Sequence, residues 1–337
     1  MPSILKVAVG QANTKPTQQE TLEALATIVR DAAAKGVDLI LFPEGYIGGY
    51  PRTTNFGVAM GSRSEEGRDQ FWQYFKSAAD LGDTPQGAGD DYIKKSLPVN
   101  EKTGRRGDGT REFLEDVAKQ TGVFIASGVI EKAGGTLYCS VVFIDPTRGL
   151  IGKRRKLMPT GSERLVWGFG TAATLRAVTT TIKGVELRIG CAICWENYMP
   201  LLRQSLYQQN INLYLAPTAD TREVWPSLMR VVAHEGRSWV ISGNLCQTRA
   251  QLPKWITGDL NGDEGKSEYV SKGGSTIVSP FGDVVAGPVW EEERLLIADI
   301  DFDECERGRL DFDSAGHYSR SDQFQLTAVG LDLIPPP

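Results

Sequence analysis

The chain has 337 residues, 41% hydrophobic and 23% charged, with a formal net charge of −5. That is ample apolar material for a large core, and the mild acidity argues against nucleic acid or an anionic membrane as partner. Five cysteines, an odd number, argue against a secreted disulfide framework, and two histidines, His234 and His317, leave little for a His-based triad or a His-rich metal site. No run approaches ~18 apolar residues, so no membrane span is expected. The opening MPSILKVAVGQAN reads as a strand rather than a leader, and a soluble cytoplasmic enzyme or binding protein is the expectation.

Residues 4–11, ILKVAVGQ, alternate as a strand does. In the following TQQETLEALATIVRDAAAKG, Thr17 and Glu20 form a capping box, and Leu22, Leu25, Ile28, Val29 and Ala32 make an apolar stripe ending before Gly36. VDLILFPEG, residues 37–45, suits a strand buried on both faces and stopped at Pro43-Glu44-Gly45. Residues 46–108 are irregular, with a helix expected around EEGRDQFWQYFKSAADLG and a polar, Gly-rich stretch at GDTPQGAGDD. The helix TREFLEDVAKQTG leads into a meander of VFIASGVIEK, TLYCSVVFID and LIGKRRK. Strand VELRIGCAIC, helix PLLRQSLYQQN, strand INLYLAPT and helix REVWPSLMRVVAHEG continue the alternation. SWVISGNLC and a second meander, GGSTIVSP, VVAGPVW and RLLIADIDF, complete it. The pattern predicts an α/β fold of two packed mixed sheets with helices outside, one domain over residues 1–325 and a short tail over 326–337.

Three places carry groups capable of chemistry. In LRIGCAIC, strand alternation sends Cys191 into the layer that Leu187 and Ile189 fill, away from Cys194, which argues against a redox or zinc pair. Cys194 ends that strand just before a helix whose first turn takes Pro200, a junction that favours thiolate; it reads as a nucleophile or as a buried strand-end thiol. Glu44 follows the apolar run LILFP, where partial desolvation would raise its pKa and make it a usable base; otherwise it is a solvated loop carboxylate. Lys153, Arg154, Arg155 and Lys156 leave a strand together, a pattern that ordinarily forms a solvated basic face. Lys156, beside Leu157, Met158 and Pro159, is the member able to turn inward and stabilise a forming anion, with Glu163 either holding it or forming a surface pair with Arg164. Base, cation and nucleophile together are what covalent attack on a polarised carbon requires.

FPEGYIGGYP, GKRRKLMPTGSERLVWG and GCAICWENYMPLLR resemble the three motifs of the nitrilase superfamily of carbon–nitrogen hydrolases. The resemblance runs over roughly residues 4–320 and includes APTAD, HEGR and DFDSAGHYSRSDQF; the pairing of LMPTGSERLVWG with CWENYMPLLR is similar to the branch acting on nitriles. It implies an α-β-β-α sandwich, no metal or organic cofactor, and self-association through the face carrying the nucleophile strand, as a dimer or a higher spiral. It makes Glu44 the general base, Lys156 the stabilising cation, Glu163 an additional acid and Cys194 the nucleophile, acting on a small-molecule nitrile. Tyr50, Trp167, Trp195 and Trp225 are candidates for the pocket wall; His234 reads as structural, and His317 falls in the segment resembling a subunit contact. The chain departs from the family's Gly-Asp-Gly-Ser-like turn after Gly168, reading Phe169-Gly170-Thr171-Ala172-Ala173 instead. An amide-acting hydrolase of the same fold, and a pseudoenzyme or assembly module, remain the competing expectations.

Overall fold

The apolar run at residues 37–45 is a strand over only part of its length, and how it ends sets up the rest of the molecule. The computed structural model describes residues 3–85, 92–93, 97–258 and 265–333. Most of the expected Gly-rich stretch at GDTPQGAGDD, and the terminal prolines, lie outside them. The first half contains β1 (Ile4–Gln11), α1 (Gln18–Ala34), β2 (Leu39–Leu41), the small hairpin β3 (Val58–Ala59) and β4 (Ser62–Arg63), and α2 (Glu65–Ser77). After it come α3 (Thr110–Thr121), β5 (Phe124–Ala133), β6 (Thr136–Asp145) and β7 (Gly149–Arg155). The second half contains β8 (Val178–Ile182), β9 (Val185–Cys191), α4 (Pro200–Tyr207), β10 (Leu213–Thr218) and α5 (Val224–Gly236). It continues with β11 (Trp239–Asn244), β12 (Cys246–Thr248), β13 (Tyr269–Val278), β14 (Val284–Trp290) and β15 (Arg294–Asp301).

Two large mixed sheets result. One runs β15-β1-β2-β5-β6-β7, the other β12-β13-β11-β10-β9-β8 with β14 also on β13. Each has three parallel strands inside it, β1-β2-β5 and β9-β10-β11, flanked by antiparallel partners. Strand period explains why the central strands are apolar throughout. Leu39 and Leu41 enter the core between the sheets, whereas Ile40 packs on the outer side with Leu25 and Val29 of α1 and Leu114 and Val117 of α3. Likewise Leu213 and Leu215 face the first sheet, and Tyr214 and Ala216 face Met229 and Val232 of α5 and Leu206 of α4. The layers are therefore helix, sheet, sheet, helix, the sandwich expected from the motifs. Because β15 pairs with β1 along its whole length, late and early parts of the chain share one sheet.

Local chemistry sets the element ends. α1 opens with the expected box: Thr17 Oγ1 accepts from the Glu20 amide at 3.2 Å, and Glu20 returns an oxygen to the Thr17 amide at 3.0 Å. β2 stops early because Pro43 has no amide for a ladder and Gly45 takes φ +59°, turning the chain at Glu44. This turn crosses β5 so closely that a Cβ on Gly128 would lie 2.0 Å from the Pro43 carbonyl oxygen and 2.8 Å from the Glu44 Cα. The substitution Gly128→Ala should therefore push the Glu44 turn off the sheet and cost about 1–3 kcal/mol, the usual range for overpacking. Urea unfolding reads this directly; an unchanged midpoint would show that the turn gives way freely.

Candidate active site

β2, β7 and β9 bring the three expected groups to one end of the sandwich, on Glu44 three residues past β2, Lys156 directly past β7 and Cys194 three residues past β9. Lys156 Nζ donates to Glu44 Oε1 and Glu163 Oε2, each at 2.7 Å. Glu163 is held in turn by the Thr160 amide at 2.7 Å, within a one-turn 3-10 helix that begins at Gly161. All four side chains are buried, Glu44 and Lys156 completely. Glu44 Oε1 also lies 3.6 Å from the thiol of Cys139, whereas its Oε2 is buried with no hydrogen-bond partner. Thr218, the last residue of β10, donates its hydroxyl to Cys194 Sγ at 3.2 Å.

Burial raises the Glu44 carboxyl above its ordinary range; the Lys156 ammonium pulls it back down, and the Glu163 carboxylate pushes it up again. Burial works against the Lys156 ammonium, but the charges of Glu44, Cys194 and Glu163 outweigh it and hold its pKa well above the ordinary value. Cys194 departs from expectation. A thiolate-favouring junction is expected there, yet burial and the Glu44 charge raise the thiol, with Lys156 and the Thr218 hydrogen bond opposing them. The enclosure therefore favours the protonated thiol over the thiolate. The backbone at Cys194 is also unusual, with φ +52°, a left-handed conformation that costs a non-glycine residue about 1–3 kcal/mol.

The basic run is a correction to its expected solvated face. Lys153, Arg154, Arg155 and Lys156 are all buried, and strand alternation divides them between two sides. Lys153 meets Asp83 at 2.6 Å and Glu131 at 2.7 Å with its ammonium 4.1 Å from the Tyr92 ring centre, and Arg155 pairs with the same two carboxylates and with the Thr84 and Pro85 carbonyls. Arg154 and Lys156 turn to the other side, Arg154 onto Glu196 at 2.7 Å. The run carries four cations because carboxylates distant in sequence wait on both faces, which a local pattern does not reveal.

Among the expected wall residues, Tyr50 donates its hydroxyl to Glu163 Oε1 at 2.8 Å and meets Trp167 edge-on at 5.6 Å. Trp167 lies 5.6 Å from the Lys156 ammonium and gives its indole N–H to Tyr74 Oη. Trp195, next to Cys194, is partly exposed, donates to Asp220 Oδ2 at 2.9 Å and is covered by Arg222. Trp225 is wholly buried in the helix–sheet layer with Met229, Val232 and Tyr214, gives its N–H to Ser242 Oγ and meets Tyr198 edge-on at 6.3 Å. Thr218, Cys139, Tyr74, Asp220, Arg222 and Glu196 are not singled out by sequence; only APTAD, which contains Thr218 and Asp220, and GCAICWENYMPLLR, which contains Glu196, carry a signal for any of them. Cys191 does enter the inter-sheet core beside Leu187 and Ile189, where burial pushes its thiol up to about 12. All five cysteines are unpaired and buried. The altered turn after Gly168 remains joined to the site, because Gly170 donates its amide to the Lys156 carbonyl at 2.8 Å. His234 sits in the last turn of α5 against the Phe281 carbonyl, and His317 on an exposed turn. Among the described residues, no group of three or more His, Cys, Asp and Glu is placed to hold a metal, and no helix is long and apolar enough to cross a membrane.

The family model for carbon-nitrogen hydrolases matches residues 6–309. A nitrilase of Bradyrhizobium diazoefficiens is 42% identical over 327 residues, covering 96% of this chain and 92% of that protein. An arylacetonitrilase of Trametes versicolor is 37% identical over 336 residues, covering 97% of each. A carbon-nitrogen hydrolase structure from Helicobacter pylori superposes with a TM-score of 0.65 at 17% identity, over 91% of this chain and 92% of that one, a likeness of fold. With the family model spanning both sheets and relatives matching along nearly the whole length, the chain belongs to the carbon–nitrogen hydrolase family.

Proposed function

We propose that this protein hydrolyses an organic nitrile to the carboxylic acid and ammonia. The observation that carries the reading is Glu44, with Oε1 locked on the Lys156 ammonium and Oε2 buried without a partner in the company of the Cys194 thiol. Glu44 takes the thiol proton as Sγ attacks the nitrile carbon, and Lys156 stabilises the nitrogen as it gains negative charge. Glu44 passes the thiol proton on to that nitrogen, giving a thioimidate and restoring the carboxylate. Glu44 then takes a proton from water as its oxygen adds to the carbon; the C–N bond breaks, ammonia leaves with the proton it needs, and a thioester remains. A second water cleaves the thioester, releasing the acid and returning the proton to sulfur. If the tetrahedral intermediate expels sulfur instead of ammonia, amide is released. Glu163 is an accessory acid that fixes Lys156 and does not exchange protons. Tyr50, Trp167, Trp195 and Trp225 are read as the aromatic residues that bound the substrate.

The same reading treats residues 1–325 as one catalytic unit and the last residues as a tail. Five buried, unpaired thiols suit a reducing compartment such as the cytoplasm. Self-association fits the face over the nucleophile strand. There Val224 and Val231 of α5 and Leu201 of α4 are exposed, and an open groove of about 810 Å³ runs past Val231, Phe281 and Phe312.

The variant Cys194→Ala should abolish ammonia release from phenylacetonitrile and from aliphatic nitriles; turnover surviving in it would remove the covalent mechanism. A wild-type enzyme that cleaves the matching amides but not the nitriles would move the assignment to amide hydrolysis. Glu44 must be ionised to act and its pKa lies above the ordinary carboxylate range, so kcat/KM should fall on the acid side at a pH above that range. Because the Glu163 charge raises Glu44, Glu163→Gln should move this acid limb to lower pH, alongside a loss of rate. A limb that stays or moves upward contradicts the assignment of Glu44 as the base. Finally, Val231→Glu places a charge on the exposed face and should weaken self-association, as a dimer or a higher spiral, in sedimentation velocity while leaving the monomer folded; an unchanged distribution would remove this face as the contact.

A further inference from the structure

One carboxylate ties the chain segment carrying the cation to the segment carrying the nucleophile. Glu196, two residues beyond Cys194, is completely buried. Its Oε2 accepts the amide of Ile193, the residue before Cys194, at 2.7 Å. Its Oε1 accepts the amide of Leu157, the residue after Lys156, at 2.5 Å, and Nη2 of Arg154 at 2.7 Å. Arg154, also buried, completes the link by donating Nη1 to the Cys191 carbonyl at 2.6 Å. Besides each other, the two side chains thus hold three backbone groups, the Ile193 amide and Cys191 carbonyl on one segment and the Leu157 amide on the other.

We propose that the Arg154–Glu196 pair is a positioning brace, setting the separation and angle between Lys156 and Cys194 while touching no substrate itself. The inference rests on the nitrile-hydrolysis reading for its kinetic consequences. β7 and β9 lie in different sheets and share no hydrogen-bond ladder. Between sheets the packing is apolar, and apolar contact is non-directional: it resists separation but leaves sliding cheap. Charge-assisted hydrogen bonds of fixed geometry supply the missing direction. The need is acute at Cys194, whose left-handed backbone would relax if released. Asn197, buried next to Glu196, supports the same turn by donating Nδ2 to the Cys194 and Ala192 carbonyls at 2.7 and 3.0 Å, with its Oδ1 taken by the Tyr214 hydroxyl.

A brace predicts a change in outcome as well as in rate. The tetrahedral intermediate releases ammonia only while its nitrogen is held where it can be protonated. If Lys156 and Glu44 drift relative to the carbon on Cys194, sulfur becomes the competing leaving group and amide accumulates. A pair that served folding alone would not move this ratio.

Glu196→Gln by itself leaves Arg154 as an uncompensated buried charge and risks misfolding. The test therefore uses the double variant R154M/E196Q, which removes both charges and keeps one carbonyl oxygen for the backbone amides. It is paired with Arg154→Lys, which keeps the charge but loses the guanidinium fork. Thermal melting, kcat and KM on phenylacetonitrile, and the acid-to-amide product ratio are measured on each. The expected result is a folded double variant with kcat lower by about tenfold or more and a several-fold larger amide share, on the scale by which small misplacements slow well-aligned reactions. KM should change by less than about twofold. Arg154→Lys should move in the same direction by less, and it carries the test alone if the double variant does not fold. Folded variants with wild-type kcat and product ratio would reduce the pair to a structural role. If the wild-type protein hydrolyses no nitrile, the brace is read separately from the pH dependence of Cys194 alkylation by iodoacetamide. That profile shifts in the variants if the pair holds Lys156 against the thiol and stays unchanged if it does not.

Discussion

The ammonium of Lys156, shared between Glu44 and Glu163 in the interior, is the contact on which the site depends. One cation against two carboxylates leaves a local excess of negative charge, in surroundings where charge is expensive. The excess is contained by directed hydrogen bonds: Thr160 on one carboxylate, Tyr50 on its other oxygen, the Cys139 thiol at the edge of Glu44. What stays unsatisfied is a single oxygen of Glu44. Three of the four carboxylate oxygens are committed, and the free one is the oxygen that the proposed mechanism uses to accept a proton. In the proposed mechanism the thiol need not be acidic at rest, since Glu44 is its proton acceptor and Lys156 the cation that meets the developing charge.

The architecture delivers this contact by having parallel strands of both sheets end at the same edge. Glu44 arrives from the first sheet and Cys194 from the second, each on a turn the backbone does not adopt freely. The turn at Glu44 relies on Pro43, on Gly45 and on the absence of a side chain at Gly128; the turn at Cys194 relies on Glu196 and Asn197. Apolar layers hold the sheets together, and polar side chains decide where their ends meet.

Much of this was legible in the sequence. Strand alternation placed Cys191 in the core and separated it from Cys194, the capping box at Thr17 marked a helix start, and the run through Leu39–Leu41 announced a strand buried on both sides. The three motifs pointed to the groups that the fold brings together. What escaped was whatever depended on partners distant in the chain. Burial of Lys153, Arg154 and Arg155 needs Asp83, Glu131 and Glu196, and nothing near residue 153 signals them. The rise of the Cys194 pKa is a property of its enclosure, which the strand–helix junction alone does not reveal.

The end of β7 and the residue after it carry four cations whose duties alternate: Lys153 and Arg155 secure the chain near Asp83, while Arg154 and Lys156 pair with Glu196 and Glu44. A slip of one residue in this strand would exchange the two sets without changing the charge on either side. Arg155 would then face Glu44, and a planar guanidinium would stand where a compact ammonium bridges two carboxylates. Selection on this strand should therefore act on phase as strongly as on identity, tolerating exchanges of side chain in the preceding turn more readily than the gain or loss of a single residue.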